Sequence, residues 1–428
     1  MSAAPAAGAR ETFPLPNPDA GARTPARPGQ QPSATRSTSA GGLCERLRAR
    51  LRRGGSHTGL FVLNAGTGKV LCRKDSRNRR ALASNMKLFT TATALSRFGV
   101  DERIATRVFA VGRLDGLGTL HGSLYLKGGG DPALGSPAFY DAFMGGLGTN
   151  LFTLTKRIRA AGIRRVEGRL FADDTVFDRL RGVADSGYRT SPYIGPLSGL
   201  SFNSGYRDSS ARHFATDPGR VAATKLARSL RAHGVAVKTR VALGETPESA
   251  ALLVAVVRSP RMGRLVNATD VYSNNFFAEM LLKNVGAHFG GGGSTAAGAA
   301  EVERFARAHG SAVHAVDGSG LTVTNRASPA EIGRLLQSMR EEDVGGDFVR
   351  ALAVAGREGT VADRMRGSAA QGRCRTKTGT LIGVSNLSGY CFNRSGKVMV
   401  FSILMSGVSN LYRAHLQQDR MAALIAGY

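Results

Sequence analysis

Residues 81–99 read ALASNMKLFTTATALSRFG, and this stretch decides the fold. Met86, Phe89, Thr93 and Phe98 recur at helical spacing, with Leu88 and Leu95 as a second register, and Gly99 stops the pattern. The pattern predicts a mostly apolar helix at the buried centre of a domain. Ser84 and Lys87 stand at i and i+3 at its start, on one face and within hydrogen-bonding reach. A serine hydroxyl becomes a nucleophile only when a base takes its proton, and a lysine serves only while its amine is neutral. Burial beside a second cation favours that neutral state. Free N–H groups at the helix start, that of Ser84 included, offer a place for an oxyanion. The plainer reading makes Ser84 an N-cap and Lys87 a solvated first-turn residue. Taken alone, Ser-x-x-Lys favours the plainer reading, although it occurs only once in the chain.

Outward from this helix the patterning changes. Residues 1–42 are rich in Ala, Pro, Gly, Ser and Thr and are expected to form a disordered tail. A short basic helix, CERLRARLRR, follows, and GLFVLNAGTGKVLCRK reads as a hairpin. From about 105 to 260, short strands broken by glycine turns predict an all-β or α+β unit. Long helices return with NNFFAEMLLKNV, TAAGAAEVERFARAHG and SPAEIGRLLQSMR. The chain then closes with strands in RCRTKTGTL, NLSGYCFN and KVMVFSILMSG and a last helix. The expected organisation is α+β: residues 43–105 and 261–428 form one split domain, interrupted by a β-rich unit at 106–260.

Composition narrows the function. The 428 residues carry a formal net charge of +27, which suggests an anionic partner. The basic residues are spread along the whole chain, without the compact or aromatic-interleaved stripe of a nucleic-acid binder, so no nucleic-acid partner is expected. Four scattered cysteines lack CxxC pairs, and the eight histidines lack HExxH, so neither metal nor cofactor is expected. No apolar run approaches the ~20 residues of a transmembrane segment. No secretory signal is visible in the first 30 residues.

Two further motifs complete a constellation. Lys377-Thr378-Gly379-Thr380 lies in an extended segment, where Lys377 and Gly379 face one side and Thr378 and Thr380 the other. A lysine beside a hydroxyl suits a substrate carboxylate, and Gly379 would let a substrate backbone approach closely. The plainer reading is an edge strand guarded by a lysine. Between the two motifs lie two Ser-x-Asn candidates, Ser201-Phe202-Asn203 and Ser273-Asn274-Asn275. The second heads a helix in the split domain and is preferred, with a simple N-cap as its plainer reading. The order Ser-x-x-Lys, Ser-x-Asn, Lys-Thr-Gly belongs to penicillin-binding proteins and serine β-lactamases.

The chain resembles the D-alanyl-D-alanine carboxypeptidase/endopeptidase family of penicillin-binding-protein-4 type over roughly residues 45–428. The resemblance rests on LASNMKLFTTATAL, GTLHGSLYLKGGGDPAL, YSNNFFAEMLLK, DGSGLTVTNRASP and GREGTVADRM…RCRTKTGTLIGVSNLSGY. It implies a five-stranded antiparallel sheet with flanking helices and large inserted domains. By the same resemblance Ser84 forms the acyl-enzyme, Lys87 accepts its proton and Ser273 relays a proton to the leaving D-alanine. Asn275 holds the substrate amide, Lys377 supports the relay, and Thr378 and Thr380 engage the terminal carboxylate. The N–H groups of Ser84 and Thr380 form the oxyanion hole. The implied partners are peptidoglycan stem peptides, with β-lactams as covalent inhibitors, and the implied location is extracytoplasmic. A β-lactamase-like esterase or an inactive wall-binding scaffold are the alternatives on the same fold. Cys374 and Cys391 are symmetric about a turn near Ile382 and Gly383. They are either a cross-strand disulfide on the face away from Lys377 or two small buried apolar residues.

Overall fold

The computed structural model describes residues 39–238, 240–249 and 251–428, so the expected tail lies largely outside the described residues. The first helix begins earlier than the sequence suggests, at Ala40, because Ser39 caps it by accepting a hydrogen bond from the Gly42 N–H. Leu43, Leu47 and Leu51 recur every fourth residue along this helix and are almost completely buried. Burial of each contributes about 1.5–3 kcal/mol relative to exposure.

That apolar stripe covers one face of a six-stranded antiparallel sheet. The strand order is Ala353–Val354, Cys374–Leu381, Val384–Phe392, Val398–Ser406, His57–Asn64 and Val70–Lys74. The sheet has one strand more than the resemblance implied, the addition being a two-residue edge strand at Ala353–Val354. Alternation of side chains sorts the core into two layers. Leu60, Val62, Phe401 and Ile403 pack with the first helix and the last one, Leu411–Ala426. Phe61, Leu63, Val400 and Leu404 pack on the other face with the apolar helix Met86–Phe98 and with Met262–Val271, Asn275–Phe289, Thr295–Ala308 and Pro329–Met339.

The chain leaves this domain at Ile104 and returns at Ser259. Those two residues are joined by Ser259 N–H to the Ile104 carbonyl (2.8 Å) and Ile104 N–H to Ser259 Oγ (2.9 Å). Between them lies a second sheet with the order Ala242–Leu243, Leu170–Asp173, Thr119–Lys127, Ala105–Leu114, Ala251–Arg258. Its pairings are mixed: Leu170–Asp173 pairs parallel with both its neighbours, Arg165–Val166 pairs parallel with the start of Thr119–Lys127, and the other pairs are antiparallel. The sequence reading of this unit as β-rich missed the part played by two helices, Thr153–Ala160 and Pro218–Ala232, which bury Leu154, Ile158, Leu226 and Leu230 against the sheet. One segment of the inserted unit also re-enters the main core through Phe177, Val183, Ile194 and Leu197.

All four cysteines are bonded. Cys374–Cys391 joins the strands at a directly paired register position, and Cys44–Cys72 ties the first helix to the strand Val70–Lys74. The second pair was not legible in the sequence, because nothing local brings residue 44 to residue 72.

Candidate active site

The nucleophile candidate sits just before the apolar helix rather than inside it. Ala83–Asn85 forms a 3₁₀ turn that runs into the helix Met86–Phe98. Ala83 takes φ 45°, a left-handed conformation that costs an alanine on the order of 1 kcal/mol. Such strain persists only where surrounding structure enforces it. Here two glycine segments press on the turn. A side chain at Gly379 would meet the Leu82 carbonyl at 2.8 Å and Asn85 Nδ2 at 3.0 Å, and one at Gly320 would meet the Ala83 carbonyl at 1.8 Å. The missing side chain of Gly379 therefore makes room for the nucleophile turn. Asn85 fastens the same contact by donating to the Lys377 carbonyl (3.1 Å).

Lys87 is completely buried, which removes the solvated first-turn reading. Its Nζ lies 3.0 Å from Ser84 Oγ, 2.7 Å from Asn275 Oδ1 and 2.6 Å from the Ser319 carbonyl. Burial, and then the nearby Lys377 charge, push its amine down to about 7. A substantial neutral fraction near neutral pH follows, which is what a proton acceptor for Ser84 needs.

The Ser-x-Asn segment resolves its own ambiguity. Asn274, not Ser273, caps the helix Asn275–Phe289, its side chain accepting from the Phe277 N–H (3.0 Å). Ser273, at φ 56°, is released from capping and accepts from Lys377 Nζ at 2.9 Å. Asn275 follows one turn-start later and reaches Lys87. Burial lowers the Lys377 amine below its ordinary range as well, and Asp270 opposes that shift.

The strand Cys374–Leu381 has an open edge where the motif begins. Ala353–Val354 pairs with it only at Thr376 and Arg375, so among the described residues no strand covers that edge from Lys377 onward. An extended peptide can add there as one more strand. Lys377 is buried, while Thr378 is half-buried and hydrogen-bonded to Thr360 Oγ1 (2.9 Å), and Thr380 is exposed. The structure thus brings Ser84, Lys87, Ser273, Asn275 and Lys377 together, with Thr378 and Thr380 along the open edge.

Sequence reasoning missed three buried carboxyls beneath the site. Asp270 accepts from Thr91 Oγ1 (2.8 Å), and Thr91 sits one turn after Lys87. Glu279 accepts the N–H groups of Gly318 and Ser319 (3.0 and 2.7 Å), which holds the Ser319 carbonyl against Lys87. Asp317 takes the N–H groups of Gly320 and Thr322 (2.6 and 2.9 Å). Burial raises all three above the usual carboxylate range. The available signal was an acid embedded in an apolar helix, as in FFAEMLL. Among the described residues no group of His, Cys, Asp and Glu is arranged to hold a metal ion.

Comparisons with known proteins agree with this fold. The model of the D-Ala-D-Ala carboxypeptidase 3 (S13) family matches residues 45–216 and 204–427. The D-alanyl-D-alanine carboxypeptidase of Actinomadura sp. (strain R39) is 29% identical, over 87% of this chain and 82% of that protein. The crystal structure of penicillin-binding protein 4 from Haemophilus influenzae superposes with a TM-score of 0.74 at 21% identity, covering 90% of this chain and 99% of the other. A penicillin G-acylated predatory endopeptidase of Bdellovibrio bacteriovorus, in complex with an immunity protein, has the same fold with a TM-score of 0.55 at 18% identity, covering 86% and 93%. The chain belongs to the D-Ala-D-Ala carboxypeptidase 3 (S13) family of serine peptidases.

Proposed function

We propose that this chain hydrolyses the terminal D-Ala-D-Ala bond, or a D-amino-acid cross-link, of peptidoglycan stem peptides through an acyl-enzyme on Ser84. The observation that carries the reading is the buried Lys87 amine, depressed to about 7 and 3.0 Å from Ser84 Oγ. Neutral Lys87 takes the hydroxyl proton, and Ser84 Oγ bonds to the carbonyl carbon of the penultimate D-alanine. The N–H groups of Ser84 and Thr380 hold the resulting oxyanion. The C–N bond then breaks, and its electron pair stays on the leaving nitrogen. That nitrogen takes a proton through the Ser273 hydroxyl, backed by Lys377 Nζ at 2.9 Å. Water attacks the ester on its carbonyl carbon, Ser84 recovers its proton and the shortened peptide leaves.

In this reading Asn275 holds the acyl donor's amide, and Thr378 and Thr380 meet the terminal carboxylate at the open strand edge. A β-lactam acylates Ser84 as a mimic of the same acyl donor. Two disulfides, with no free cysteine among the described residues, support an oxidising and hence extracytoplasmic location. No helix among the described residues is long and apolar enough to cross a membrane. The test is release of D-alanine from an acylated tripeptide ending in D-Ala-D-Ala. Wild type releases D-alanine, while Ser84→Ala, and wild type given the L-Ala-L-Ala peptide, release none. Equal release by Ser84→Ala overturns the reading.

A further inference from the structure

A cavity of about 470 Å³ lies between the outermost strand of the main sheet, Val70–Lys74, and the helix Pro329–Met339. The strand that carries Lys377 is four strand spacings away, about 19 Å, so an occupant of this cavity leaves the catalytic cleft open. Register sets the cavity's two characters. Val70 and Arg73 pair with Leu63 and Phe61, so all four point to the same side of the sheet. Phe61, Leu63 and Val70 make an apolar floor, and Val70 is 43% exposed. Arg73, Arg77 and Arg334 line the same space, are exposed and form no ion pair among the described residues. Glu341 is the one carboxylate lining it, and His309 spends its ring nitrogens on Glu342 and the Phe305 carbonyl (both 2.8 Å).

The walls are held in place from beneath. Arg80, only 8% exposed, donates to the carbonyls of Asp75 (3.0 Å), Asn78 (2.6 Å) and Thr58 (2.9 Å), which fixes the loop that presents Arg77. The Ala330 N–H binds the Ser76 carbonyl (2.9 Å) and ties that loop to the helix. Gln337 spends both amide N–H groups, on the Ala65 carbonyl (2.9 Å) and Glu341 Oε1 (2.8 Å). Its Oε1 is left over at the cavity wall, shielded from solvent and without a partner among the described residues.

We propose that this cavity is a binding site for a sugar or polyol phosphate, free or as the repeat unit of a phosphodiester polymer. Three guanidinium groups against one carboxylate demand an anion with several oxygens, and phosphate accepts from more than one guanidinium fork at once. The apolar floor takes the C–H surface of the sugar or polyol, and the Gln337 oxygen takes one of its hydroxyls. The site gives the basic chain a defined place for an anionic partner, at the sheet edge opposite its reactive one. It does not depend on the peptidase reading above.

Isothermal titration of the full chain tests this with glycerol 3-phosphate, a synthetic poly(glycerol phosphate) and uncharged glycerol. Wild type binds a phosphate-bearing probe saturably and does not bind glycerol. Arg73→Ser/Arg77→Ser/Arg334→Ser weakens that binding at least about tenfold. Arg46→Ser/Arg50→Ser/Arg53→Ser removes the same charge from the first helix and its end, outside the cavity, and weakens it by about twofold or less. Both triple variants keep wild-type D-alanine release, which shows that they fold. Binding of the monomer with this variant pattern supports a free ligand, and binding of the polymer alone with this pattern supports a chain. Equal weakening by the two triple variants, or no saturable binding by wild type, overturns the site. Tighter binding of inorganic phosphate or of a single-stranded oligonucleotide than of either glycerol phosphate overturns the ligand class.

Discussion

Two Ser-x-Asn segments share a composition and a left-handed kink, yet only one meets lysines. In Ser201-Phe202-Asn203, Asn203 has φ 51°; in Ser273-Asn274-Asn275, Ser273 has φ 56°. Ser201 Oγ donates to the Pro196 carbonyl (3.3 Å), and Asn203 Oδ1 accepts from Ser136 N–H (2.8 Å) and Ser136 Oγ (3.3 Å). Every one of those bonds ties one turn of the inserted unit to another. In the second segment the equivalent atoms face Lys377 and Lys87. Short polar residues serve both places because they tolerate the kink and supply their own hydrogen bonds. What separates a structural tie from a reactive group is the partner that the rest of the chain brings opposite.

The largest effect that tests this contrast is on turnover. Ser273→Ala is expected to lower D-alanine release by about 10²–10³-fold, and Ser201→Ala to leave it within about twofold. Equal losses would erase the distinction. Stability should show the reverse order. Asn203→Ala leaves the Ser136 N–H without its acceptor and is expected to cost about 1–3 kcal/mol in urea unfolding. Asn275→Ala should instead abolish rapid acylation, with a smaller change in the unfolding midpoint.

The lysine side of the contrast appears in pH dependence. Protonated Lys87 cannot accept the Ser84 proton, so the acylation rate should climb as pH rises through about 7 and then level off. The folded amine sits below its ordinary value of 10.5, so between about 7 and 10.5 the unfolded chain holds more protons. The contribution of Lys87 to stability therefore improves as pH rises across that window. The smallest effect belongs to Asp270, whose charge raises Lys87 against the burial effect. Asp270→Asn should move the midpoint of the rate profile to lower pH by less than about one unit.

Much of this was legible in the chain. Helical periodicity around Met86–Phe98 points to the domain's centre, and the three ordered motifs single out Ser84, Lys87, Ser273, Asn275 and Lys377. The symmetric spacing of Cys374 and Cys391 about their turn was readable because a hairpin makes register local. Cys44–Cys72 and the buried Asp270, Glu279 and Asp317 were not. Each depends on packing between segments far apart in sequence, and neither periodicity nor spacing encodes such contacts. Gly379 was legible as a place of close approach, and the packing of the nucleophile turn against it was not.

The most direct test of the central claim is intact-protein mass after incubation with a fluorescent penicillin, for wild type and Ser84→Ala. The account predicts a single stable adduct on wild type and none on the variant. A folded wild type that takes no adduct, or a variant that takes the same one, would contradict it.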